Sequence, residues 1–83
     1  MRTITGYVFC KKTNRMLLNP ILYWFDQQGS IQEKIFGTES EGKFDIDIPP
    51  YVEKLYVANK GYSIREIVLR PTMDQIIVHL SKN

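Results

Sequence analysis

Polar and apolar residues alternate along most of this chain with a period of two. Over residues 2–9, Ile4, Gly6 and Val8 alternate with Thr3, Thr5, Tyr7 and Phe9, which predicts a first strand with one face in a core. Residues 10–19 carry Lys, Thr, Asn and Arg without a period and read as a loop, with Leu17 turned inward near its end. Pro20 has no N–H and suits the first position of a strand, and Ile21–Phe25 is β-branched and aromatic throughout. A turn over residues 26–30, with Gly29 at a position of positive φ, leads to a third strand over 31–36 whose inward face is undetermined, because both alternating sets are mixed. After a polar turn between Gly37 and Gly42, Phe44, Ile46 and Ile48 alternate with Lys43, Asp45 and Asp47 without exception, and Pro49-Pro50 stops the strand. Strands over 54–59, 62–69 and Gln75–Leu80 complete the chain.

Seven short strands at intervals of about ten residues, with no helical period, predict an all-β sandwich or barrel in one domain over residues 1–83. The expected core is Ile4, Val8, Leu17, Leu22, Trp24, Phe44, Ile46, Ile48, Leu55, Val57, Ile64, Ile67, Ile76, Val78 and Leu80. At 83 residues the chain has room for a single core. No apolar run approaches the ~20 residues of a membrane helix, and the alternating start is not that of a signal peptide.

Charge and chemistry narrow the function. A net charge of +2 is a weak bias, which argues against nucleic acid as a partner. Lys11, Lys12 and Arg15 form a basic cluster, read as a solvated loop. One cysteine, Cys10, and one histidine, His79, supply neither a disulfide nor a metal site. His79 falls on the face of the last strand opposite the core, without the orienting partner that acid–base work requires. Glu39, Glu41, Asp45 and Asp47 lack the spacing of a calcium loop. In an up-and-down arrangement the turns bring Lys11, Lys12, Arg15 and Lys60 to the same end as Glu39 and Glu41, where mutual pairing balances them. No catalytic, cofactor-binding or metal-binding residue is assigned.

The order I4-x-G6-x-V8, T13-N-R-M-L17, T38-E-S-E-G42-K-F44-x-I46, L55-Y-V57 and G61-Y62 resembles the carboxypeptidase regulatory-like domains, which are transthyretin-like or prealbumin-like modules of about this length. The resemblance covers nearly the whole chain. It implies an antiparallel Greek-key sandwich of about seven strands, transthyretin-like or immunoglobulin-like, without catalytic activity of its own, serving as spacer, folding aid or docking unit in a bacterial envelope or surface protein. That places it in the periplasm, at the outer membrane or on the cell surface. The family often has Asp at the position of Cys10, so the resemblance implies a loop hydrogen bond that Cys10 would not keep. The hydroxyisourate hydrolases of the same fold use several histidines and a Tyr-Arg-Gly-Ser tail, whereas this chain has His79 and ends Leu-Ser-Lys-Asn.

The candidate partner-contact residues are Tyr7, Phe9, Tyr23, Phe25 and Tyr56. With Ile4 and Val8 inward, Tyr7 and Phe9 face out; with Leu22 and Trp24 inward, Tyr23 and Phe25 face out. If the first two strands are neighbours, these rings form one patch, joined by Tyr56 from the fifth strand. Such a patch marks an interface with a neighbouring domain, a partner protein or a second copy. The alternative is a stacking platform for a carbohydrate or a single-stranded nucleic acid.

Overall fold

A computed structural model of the chain describes residues 2–35 and 43–83. The described residues form seven strands and no helix: β1 (Arg2–Cys10), β2 (Ile21–Phe25), β3 (Ile31–Ile35), β4 (Lys43–Ile48), β5 (Lys54–Ala58), β6 (Arg65–Val68) and β7 (Gln75–Leu80). They make two sheets, one of three strands in the order β4-β1-β7 and one of four in the order β3-β2-β5-β6. Of the all-β sandwich and barrel that the alternation predicts, the sandwich is therefore the fold. Among the described pairs, β1–β4, β2–β3, β2–β5 and β5–β6 are antiparallel, whereas β1–β7 is parallel. A parallel pair needs a long crossover, and the five intervening strands provide it.

The core lies between the sheets. Alternation puts Ile4, Val8 and Cys10 of β1, Phe44, Ile46 and Ile48 of β4, and Ile76, Val78 and Leu80 of β7 on one inner face. Leu22, Leu55 and Val57 meet them from the other sheet, and Leu17, Trp24 and Ile67 are half-buried against the cluster. Burying each of the large side chains contributes about 1.5–3 kcal/mol. The expectation for Ile64 is corrected, because it is 59% exposed. The regular strand begins only at Arg65, with Ile67 half-buried and Leu69 buried. By the same period Ile64 falls with Glu66 and Val68 on the outside. Val52 joins the core because its N–H turns back to the Pro49 carbonyl at 3.1 Å after the double proline.

Gly6 is set by close approach. A Cβ there would lie 2.0 Å from the Ile76 carbonyl oxygen and 2.8 Å from Phe44 Cζ, so the β1–β7 pairing requires glycine. Gly29 and Gly61 both adopt φ +84°, as turn glycines do. The turn between Gly37 and Gly42 lies outside the described residues.

Candidate functional site

The register of β3 resolves its ambiguous faces. Ile31 pairs with Phe25 and Glu33 with Tyr23, so Ile31 and Glu33 share the outer face of the four-stranded sheet. Gln32 and Lys34 lie on the opposite face of this edge strand yet remain exposed. Lys34 Nζ reaches back to the Asp45 carbonyl of β4 at 3.4 Å.

On that outer face Tyr23 pairs with Tyr56. The two rings stack with centroids 5.0 Å apart and planes 12° apart, and Phe25 stands edge-on to both at 5.6 and 6.1 Å. Tyr56 and Glu66 are cross-strand neighbours. The Tyr56 hydroxyl donates to Glu66 Oε1 at 3.0 Å, which raises the phenol's pKa, and Lys54 Nζ lies 3.5 Å from the same oxygen. The register thus lays a row Glu33, Tyr23, Tyr56, Glu66 across the sheet. Beside it runs a second row of Ile31, Phe25, Lys54 and Val68. Ile31, Phe25, Val68 and Ile64 are exposed.

Tyr7 and Phe9 do not join this cluster, which corrects the single patch expected from neighbouring first and second strands. β1 and β2 belong to different sheets, so their outward residues lie on opposite sides of the sandwich. Tyr7 and Phe9 instead neighbour Ile77 and His79 of β7. Phe9 stacks on His79 with centroids 5.6 Å apart, and Tyr7 lies 6.2 Å from Phe9. The expected outward placement of His79 is the one observed. Among the described residues no group of three His, Cys, Asp or Glu side chains could hold a metal ion.

Cys10 ends β1 and is buried. Its sulfur takes side-chain hydrogen bonds from Thr13 and Tyr62 and backbone ones from Thr13 and Lys12, and these outweigh burial and pull the thiol from 9.0 to about 6. Its own backbone closes the loop, with Cys10 N–H donating to the Arg15 carbonyl at 2.8 Å and Asn14 N–H to the Cys10 carbonyl at 2.7 Å. Asn14 takes φ 59°, a left-handed conformation that asparagine tolerates. Gly61 bends the chain so that Tyr62 packs against the core and meets Cys10. The sequence held no direct signal for this contact, since the two residues meet only through the end-to-end arrangement of the sheets.

The same end of the sandwich gathers Lys11, Lys12, Arg15, Lys60 and Lys82, in loops that follow β1, β5 and β7. The expected partners Glu39 and Glu41 lie outside the described residues. Comparison with protein-family models, with curated proteins and with solved structures finds no match to this chain.

Proposed function

We propose that this protein is a non-catalytic structural and interaction module that docks a protein partner on the outer face of its four-stranded sheet. The observation that carries the proposal is the Tyr23–Phe25–Tyr56 cluster, solvent-facing and continuous with exposed Ile31 and Val68. Aromatic side chains on a rigid sheet offer large contact area at low entropic cost, and contiguous apolar surface of this kind is typical of interfaces. The setting in a bacterial envelope or surface protein, and the carboxypeptidase regulatory-like assignment, rest on the resemblance in sequence. The Greek-key reading is supported by a chain that changes sheets at every connection except β2–β3 and β5–β6.

A stacking platform for bases or sugars is the second reading, and the ring geometry favours it less. Tyr23 and Tyr56 each give a face to the other, and Glu33 and Glu66 flank them in the same row, where their charge repels phosphate. A photoreactive amino acid placed at Ile31 or Val68 in the native organism tests the proposal. The expected result is crosslinking to a discrete protein neighbour, lost when Tyr23 and Phe25 are both alanine in a chain still folded by NMR. Binding of glycans or single-stranded oligonucleotides through the same residues, with no protein crosslink, would replace it with the second reading.

A further inference from the structure

We propose that the partner docked on the aromatic face anchors itself through an arginine side chain, seated in a pocket where that face meets the turn after β4. The inference rests on the docking reading above and names the chemistry of the partner. A cavity of about 240 Å³ is lined there by Phe25, Asp26, Tyr51, Glu53 and Tyr56 around buried Val52. Its volume lies below the roughly 300–1,000 Å³ of small-molecule sites, which suits one long side chain. Phe25 and Tyr56 stand at 84° to one another with centroids 5.6 Å apart, forming a corner of the pocket, and Tyr51 adds a third ring. Backbone hydrogen bonds hold the walls. Val52 N–H donates to the Pro49 carbonyl at 3.1 Å, Leu69 N–H to Glu53 at 2.8 Å and Asp26 N–H to Ser30 at 2.8 Å, so the pocket is formed in advance and the ordering cost of binding is low.

Three rings alone would accept any apolar group, and the carboxylates among them select a cation. Asp26 is half-buried and fixed by the Gln28 and Ser30 N–H groups, of which the Ser30 bond chiefly holds its pKa below the ordinary 3.8 and keeps it charged. Among the described residues neither Asp26 nor Glu53 forms an ion pair. Lys54 also lines the cavity, but its ammonium lies 3.5 Å from Glu66 Oε1, on the neighbouring strand. At the same end the Arg2 guanidinium donates to the Arg70 and Met73 carbonyls. An ammonium is a compact, strongly hydrated point charge, whereas a planar guanidinium stacks on aromatic faces and pairs with carboxylates through a fixed fork of donors. Rings and carboxylates side by side therefore favour arginine over lysine.

Titration of the ¹⁵N-labelled protein with the capped tripeptide Gly-Arg-Gly is the test, beside the same peptide carrying lysine or citrulline. The expected result is saturable shifts centred on the amides of Asp26, Val52, Glu53 and Tyr56 with the arginine peptide, weaker ones with lysine and none with neutral citrulline. Glu53→Gln should weaken binding about tenfold, as loss of one charge-assisted contact implies, and Tyr51→Leu about threefold. Both residues are exposed, so both variants should fold. Lys54→Gln should not weaken binding, and neither should Asp45→Asn on the other sheet. Citrulline or lysine peptides binding as well as arginine, or shifts spread over all surface acids, would overturn the proposal. The peptide needs no partner, so its failure to bind refutes the arginine anchor while crosslinking from Ile31 or Val68 still reports on the docking face.

Discussion

Tyr23 of β2 and Tyr56 of β5 stack at 5.0 Å with their planes 12° apart, on the outside of the molecule rather than in its core. Aromatic pairs contribute about 0.5–1.5 kcal/mol beyond their burial, so the pair stiffens the sheet as well as presenting a surface. Replacing both Tyr23 and Phe25 by alanine should cost about 1–2 kcal/mol in urea unfolding and leave the NMR spectrum dispersed. Wholesale unfolding would show that this face is structural.

The inner face should behave differently. Phe44 is 1% exposed and fills the space beneath Gly6. Phe44→Ala should lose about 3–5 kcal/mol, a large share of the ~5–15 kcal/mol that holds a domain together. Denaturant titration beside the Tyr23/Phe25 variant makes the contrast direct.

Gly6→Ala should be more damaging than its single added methyl suggests. The new Cβ would fall 2.0 Å from the backbone oxygen of Ile76, and backbone in a paired strand cannot yield without breaking the β1–β7 ladder. Loss of slow-exchanging amides in β7, with those of β2 and β5 less affected, is the expected hydrogen-exchange result.

The Cys10 thiol, held at about 6 against an ordinary 9.0 by its Thr13 and Tyr62 hydrogen bonds, links stability to pH. Between those values the unfolded chain binds more protons than the folded one, so stability rises with pH from about 6 to about 9. Below that window both states carry the thiol and the contribution is gone. Tyr62→Phe should raise the thiol's pKa, read by thiolate absorbance, and flatten the rise. Because Cys10 is only 3% exposed, alkylation should stay slow even where the thiolate predominates.

Asp26 provides the acid-side counterpart. Its Oδ1 accepts the Gln28 and Ser30 N–H groups at 2.9 Å each and its Oδ2 accepts from Gln32 at 3.1 Å, with the Ser30 bond the main reason its pKa lies below 3.8. The stabilisation is complete above the ordinary value and is lost as pH falls through the lowered one. Asp26→Ala should lower the urea midpoint at neutral pH and remove the steepest part of the acid-unfolding curve.

The alternation of Phe44, Ile46 and Ile48 with charged residues determined β4 and its buried face from the sequence alone, and the same period located β1, β5 and β7, while an unbroken β-branched and aromatic run marked β2. Local pattern suffices there because one face of each strand must leave water. Where the pattern was mixed, in β3 and around Ile64, only pairing with β2 and β5 decided which side each residue took. Tertiary structure also decided which strands are neighbours. The outward direction of Tyr7, Phe9, Tyr23 and Phe25 was legible, but their division between two sheets was not, because strand order depends on connections that change sheets rather than on any residue's own period. The meeting of Cys10 with Tyr62, and of Lys11 and Lys12 with Lys82, has the same origin: residues far apart in the chain converge where loops share one end of the sandwich.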